Sequence, residues 1–502
     1  MTDHDISPIR RNLLKGLAGT GVAGFVGAIA ALQARQAGAV AGDRASALVD
    51  SPYGPVAAVK DITTGLPLLK LPAGFSYKSF GWRGDTMLDG RPCPGGHDGM
   101  GVVLARQVGR STELVLVRNH RIGGTPAARV LHAPGVYDAG ALSAGSAERF
   151  GGGATSLVFR DGNWVSMTPS LGGTHGNSGG GVTPWGTWLS CEETGLDVRS
   201  GSGRKHGYVF EVHPDPALTT GQPIVGMGRF AHEAAAVDPV TNIVYLTEDA
   251  AGKSGFYRYI PDVTVGAPGS LGLGGVLQMA KVKGYHNVNL ASVPLDAAYE
   301  LEWVTIARPD ADRTEANGPS GVRLQDVSGP FAQGWRQGAA RMNRGEGLWY
   351  ADGKVYVMDT AGGGVRRGSI WELDLAKQVL TCIFSSPDPL VGNMGDNLTV
   401  SPNKGILVCE DASALITDHY GFGQRLMGLT AGGDAYIFAK NNFTVSNAEL
   451  EAVGKLGTMG GDHRDREFAG ACFDPSGRYL FVNLQTPGIT FAITGPWAKG
   501  PL

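Results

Sequence analysis

From about residue 40 the chain repeats one pattern almost to its end: a short run of β-branched and aromatic residues, then a turn of Gly, Pro, Asn or Asp. Residues 112–118, 243–247, 354–358, 405–409 and 479–483 have the length, composition and flanking turns of strands. Several are led in by a similar turn, as at Asp238-Pro239, Asp352-Gly353, Ser401-Pro402-Asn403 and Asp474-Pro475. Such a turn feeding a hydrophobic strand, recurring at irregular intervals, predicts an all-β fold made of successive propeller blades. Residues 40–75 read as an extended lead-in, and residues 290–340 as a long polar inserted loop. No Pro-rich or Ser-rich linker divides the chain, so residues 40–502 are expected to form one β-propeller domain with loop insertions.

Composition sharpens this picture. The chain has 78 Gly and 28 Pro, with 8% aromatic and 18% charged residues, which suits a turn-rich protein better than a helical one. A formal net charge of −3 without any block of like charge gives no footprint for nucleic acid or for an anionic membrane. Residues 1–39 read as an export signal rather than as fold. Arg10-Arg11 precedes a weakly apolar stretch from Gly16 to Leu32 and the small residues Ala37-Gly38-Ala39, the order of a twin-arginine signal. The stretch is short and Gly-diluted for a membrane anchor, so no stable span is expected after processing. The expected location is the periplasm or the medium, reached through the twin-arginine export machinery. Five scattered cysteines, an odd number without a C-x-x-C pair, imply no disulfide framework.

The chemistry lies in carboxylates at strand ends. Residues 185–191 run into Glu192-Glu193, residues 244–247 into Glu248-Asp249, and residues 406–409 into Glu410-Asp411. Neighbours on a strand point to opposite faces, so one of each pair can face a central channel while the other binds loop backbone. A single such pair is most simply a solvated strand end. Three copies, joined by Glu233, Glu346, Asp396 and Glu467, point instead to convergence on one site. Clustered carboxylates repel unless cations neutralise them. An oxygen-only donor set suits hard cations, calcium first, with ferric iron, manganese or magnesium as alternatives. The eleven His form no i, i+2 to i+4 grouping, which argues against a zinc hydrolase.

Read together, these motifs resemble the PhoX-type alkaline phosphatases. The matching segments include Arg118-Asn119-His120, Thr183-Pro184-Trp185-Gly186-Thr187-Trp188 through Cys191-Glu192-Glu193, His232-Glu233, Arg344-Gly345-Glu346, Asp396-Asn397 and Phe481-Val482-Asn483, in family order. The resemblance implies a six-bladed propeller whose channel holds iron and calcium bridged by an oxo group and which hydrolyses small phosphomonoesters. It implies Glu193, Glu233 or Glu248, and Glu346 as metal ligands, with Arg344 on the phosphate. Catalytic roles are expected for Arg344, Glu346 and Asn119. Metal ligation is expected from Glu192, Glu193, Glu233, Glu248, Asp249, Glu346, Asp396, Glu410 and Glu467. Two departures bear on the metal. Ser178 stands where the family has a thiolate iron ligand, and Arg121 where it commonly has an acidic residue. Both changes favour calcium over iron, since a neutral hydroxyl is a much poorer ligand than a thiolate. The same carboxylates also suit a calcium-dependent hydrolase of another ester class, similar to propeller lactonases, or a binding or scaffold propeller without catalysis.

Overall fold

Small residues crowd the start of six strands, and this sets where the backbones meet. The computed structural model describes residues 45–125, 131–140, 149–199, 201–313 and 326–502; the expected export signal lies outside them. The six strands are β1 (His97–Val108), β2 (Asn177–Val182), β3 (His232–Val237), β4 (Gly345–Ala351), β5 (Gly395–Val400) and β6 (Phe468–Phe473). Each packs on the next, and β6 packs on β1, so the six close a circuit. Close approach demands the absence of side chains. A Cβ at Gly179 would lie 2.4 Å from the Glu233 carbonyl, and one at Gly470 would lie 2.4 Å from the Asp98 carbonyl.

Each of these strands opens a sheet that fans outward, antiparallel throughout except where Gly135–Val136 pairs in parallel at the edge of the β1 sheet. Sheets of five strands (from β1), three (from β2), six (from β5) and four (from β6) are separate, giving an all-β, propeller-like arrangement. Six separate sheets are not seen among the described residues. The sheets begun by β3 and β4 merge into one of nine strands, because Ala298–Thr305 pairs with Gly275–Val282 on one edge and with Val379–Ser385 on the other. That strand, and the helix Gly329–Arg336 capped by Ser328, lie within the region expected to be an inserted loop. Alternating Leu301 and Trp303 give Ala298–Thr305 an apolar face, with Leu301 buried. The lead-in also contributes strands. Val56–Val59 and Leu69–Pro72 extend the β5 sheet, and Ser76–Phe80 pairs with Ile489–Thr494 to complete the β6 sheet.

Apolar side chains on the outer strands fill the space between sheets. Leu407, Leu426, Phe438, Phe491 and Leu480, all fully buried, share one such cluster between the β5 and β6 sheets. Burying each contributes about 1.5–3 kcal/mol. The five cysteines are buried and unpaired. No helix among the described residues is long and apolar enough to cross a membrane.

All six inner strands share an irregularity. The pairing of β1 with its neighbour runs from His97↔His120 to Met100↔Arg118, two residues opposite one. The same slip follows Asn177↔Glu192, His232↔Glu248, Gly345↔Asp359, Gly395↔Glu410 and Ala469↔Asn483. A bulge of this kind bends the strand and re-aims the side chain next to it. The residues so placed are Asp98, Ser178, Glu233, Glu346, Asp396 and Gly470.

Candidate metal centre

Four of those six residues are carboxylates, and the ends of the second strands add Glu193, Asp249 and Asp411. Glu467, just before β6, joins them. Oxygens of Glu233, Glu346 and Asp396 lie within 4.8 Å of one another, and so do those of Asp396, Asp411 and Glu467. Asp396 belongs to both groups. Burial pushes the carboxyls of Glu233, Glu346, Asp396 and Glu467 well above the ordinary range, and their mutual repulsion adds to it. Asp98 is raised to about 6 and Glu193 to about 7, again chiefly by burial, against the opposing pull of Arg121. Oε1 of Glu233 is buried and has no hydrogen-bond partner among the described residues.

Two arginines relieve part of this charge. Arg121 forms an ion pair with Glu193. Arg344 forks onto Asp249, with Nε to Oδ1 at 3.0 Å and Nη2 to Oδ2 at 3.0 Å, and its Nη2 lies 2.8 Å from Glu346 Oε1. The backbone at Arg344 is left-handed (φ 68°), an uncommon conformation for a residue with a side chain. It is held there because Thr360 N–H donates to the Arg344 carbonyl and Ala361 N–H to that of Asn343.

The remaining residues singled out in the sequence are engaged elsewhere. Glu192 accepts from His206 Nδ1 (2.6 Å) and from the backbone N–H groups of His175 and Gly207. Tyr257 donates to Glu248 (2.6 Å). Arg425 donates to both oxygens of Glu410 at 2.6 and 2.7 Å, and Asn393 N–H adds a third bond. These three carboxylates are tied within their own sheets and are not brought to the Glu233–Glu346–Asp396 group. Asn119 is also used up. Its amide donates to the carbonyls of Ser178 and Gly179 at 2.8 Å, and its oxygen accepts from Trp188 Nε1 and Ser190 Oγ. Such an Asn links the β1 and β2 sheets and has no free group for chemistry.

Asp98 and Asp411 stand in the cluster without having been singled out as ligands. The signal for Asp98 was its place one residue before a Gly at the start of a strand, the same place as Glu346 and as Glu233 before Ala234. Ser178 occupies the corresponding position on β2, between Asp98 on β1 and Glu233 on β3, and is buried. Cys191 does not replace it, since its side chain sits among Leu189, Met227 and Phe230 in an apolar cluster.

A cluster of buried carboxylates with an orphan oxygen, held apart at metal-ligand spacing, fits a hard cation bound by oxygen. Among the described residues no thiolate or imidazole joins it, so a soft or nitrogen-rich metal site does not fit.

A family model for the alkaline phosphatase PhoX matches residues 51–170 and 142–488. In fold, the chain is similar to Pseudomonas fluorescens PhoX in complex with vanadate, a transition state analogue, at a TM-score of 0.60 and 17% identity, over 89% of this chain and 99% of that one. Virginiamycin B lyase from Staphylococcus aureus follows at a TM-score of 0.31 and 10% identity, over 84% of this chain and 99% of that one, too distant to carry an inference. No curated protein matches in sequence.

Proposed function

The chain belongs to the PhoX alkaline phosphatase family and is a phosphatase, and from that premise we propose that it hydrolyses small phosphate monoesters at a carboxylate-bound cation cluster on the axis of an exported propeller. One observation carries this reading: the Glu233, Glu346 and Asp396 oxygens within 4.8 Å of one another, with an orphan Glu233 oxygen among them and Arg344 beside them. Glu233, Glu346 and Asp396 would hold one cation, and Asp396, Asp411 and Glu467 a second. Calcium fits best. The hydroxyl of Ser178 and the fixed positive charge of Arg121 both disfavour iron, which prefers a charged, softer ligand at the first position. A cation bound there supplies neutralisation of the phosphoryl oxygens and fixes the ester for in-line attack.

The chain's own groups supply the rest. Arg344 presents a planar fork whose Nη1 has no partner among the described residues, and it sits where phosphoryl charge develops. Asp249 and Glu346 fix that fork before substrate arrives, so its donors need little reorganisation in the transition state. Arg121 balances Glu193, Asp98 and Glu233 with a tethered charge. Six blades are the natural count for the circuit of inner strands, the nine-stranded sheet representing two of them joined by Ala298–Thr305. Export through the twin-arginine route to the periplasm or medium rests on Arg10-Arg11 and the segment that follows.

The test is elemental analysis of purified protein, followed by turnover of a chromogenic phosphomonoester before and after chelation. Calcium in stoichiometric amount, and activity that chelation removes and calcium restores, are expected. Metal-free protein with full activity would overturn the proposal.

A further inference from the structure

Beside the acidic cluster lies a pocket of the opposite character. Its volume is about 260 Å³, and its walls include Gly252, Asn289, Ser292, Arg341, Asn343 and Arg366. Among the described residues no carboxylate lines it. Two guanidinium groups therefore share a concave, polar space without a counter-charge, and neither Arg341 nor Arg366 has an ion-pair partner among the described residues. Arg341 donates to the Gly252 carbonyl and to no other acceptor described. Burial lowers its pKa, as expected for a cation held without an anion.

The pocket adjoins the proposed phosphatase site along the chain. Asn343 lines it, and the next residue is Arg344, whose fork faces Asp249 and Glu346; consecutive Cα atoms are ~3.8 Å apart. Gly252 lies in the turn that follows Asp249, and its N–H donates to Asn343 Oδ1 at 2.7 Å. The left-handed turn at Arg344 sends Asn343 to the pocket and Arg344 to the cluster. An ester whose phosphoryl group meets Arg344 and whose leaving group extends past Asn343 would bring that leaving group toward Arg341 and Arg366. Asn343, Asn289 and Ser292 add neutral hydrogen-bonding groups, and the forked donors of Arg suit a phosphate or a carboxylate alike.

We propose that this pocket is a subsite for a second anion carried by the leaving group, so that the preferred substrates are phosphomonoesters bearing a further phosphate or carboxylate. This deepens the phosphatase reading and rests on it. The direct test compares kcat/KM for phenyl phosphate, para-carboxyphenyl phosphate and para-phenylene bisphosphate. The probes with a second anionic group are expected to be preferred by about 10–100-fold, the range for hydrogen bonds to charged groups; which of the two is favoured distinguishes carboxylate from phosphate. In Arg341→Gln/Arg366→Gln that preference should fall to near one, and in Arg366→Gln, which changes an exposed side chain, it should fall part way.

A parallel measurement reads the pocket without turnover: dissociation constants for the non-hydrolysable benzylphosphonate and para-carboxybenzylphosphonate. The carboxylated probe should bind tighter to the unsubstituted protein and equally well to the double variant. Equal binding of the two probes by the unsubstituted protein, or a preference that survives both substitutions, would sink the subsite. Absence of any turnover while the binding preference stands would instead overturn the phosphatase reading and leave the anion pocket in place.

Discussion

Consecutive residues in this protein meet opposite fates. Glu192 and Glu410 are buried as deeply as Glu233 and Glu346, yet each is surrounded by donors: His206 and the backbone N–H groups of His175, Gly207 and Tyr208 for the first, Arg425 and Asn393 for the second. Glu193 and Asp411, one position further along, turn to the axis and join carboxylates that repel one another. Both sets cost desolvation energy to bury. In the outer set the protein's own donors compensate that cost during folding. In the axial set the compensation is incomplete, and buried oxygens of Glu193, Glu233 and Glu346 lack hydrogen-bond partners among the described residues. Burial of an acidic residue therefore says little about function until its donors are counted.

The comparison can be broken most forcefully at the outer set. Arg425→Met strands Glu410 in the interior and should destabilise the fold by about 3–5 kcal/mol, seen as a lower denaturant midpoint. Glu346→Gln in chelated protein should leave stability equal or higher, since it removes a repelled charge. Equal losses in the two variants would erase the distinction between the sets. Next in size is Arg344→Ala, expected to lower phosphomonoester turnover by roughly 10²–10³ as for the loss of one preorganised transition-state donor. Elemental analysis beside Glu346→Gln should show metal retained in the first variant and lost in the second.

A pH effect sharpens the same contrast. Burial disfavours the charged form of His206, but Glu192 and Asp138 overcome it and raise the imidazole to about 9. The stability this contributes is fully present below the unfolded value of about 6.5 and is lost as pH rises through about 9, up to about 3 kcal/mol in all. Denaturant midpoints from about pH 6 to about pH 10 should fall in the unsubstituted protein, and that component should be missing in His206→Gln. Smallest is the effect of metal removal. Calcium at a hundredfold excess over its Kd should stabilise by about 2.7 kcal/mol, and thermal unfolding of Glu233→Gln should show little or none of that shift.

Much of this was legible in the residue order. Turn-led strands announced an all-β, propeller-like fold, and the acidic pairs after residues 191, 247 and 409 announced that carboxylates gather at strand ends. Which member of each pair faces the axis was not legible, because that depends on the phase of the bulge on the neighbouring strand, and a bulge has no hydrophobic signature. Asp98 escaped notice because Gly96-His97-Asp98-Gly99 reads as a turn; only the register of β1 shows it beginning a strand. The linking place of Asn119 was not legible either, because its partners Ser178, Gly179, Trp188 and Ser190 are about sixty to seventy residues away in sequence. The merged sheet was hidden in Ala298–Thr305, whose mixture of Glu and aromatic residues looks like loop.

The pairing of Ser76–Phe80 with Ile489–Thr494 also sets a clock on biosynthesis. A strand made early waits for a partner made more than four hundred residues later, so while the ribosome works the ring stays open and its axial carboxylates sit on an incomplete rim. At a synthesis rate of about 5–20 residues per second this exposure lasts tens of seconds. The group of Asp396, Asp411 and Glu467 can assemble only after the final sheet has emerged, which makes closure of the ring and completion of the acidic cluster a single late event.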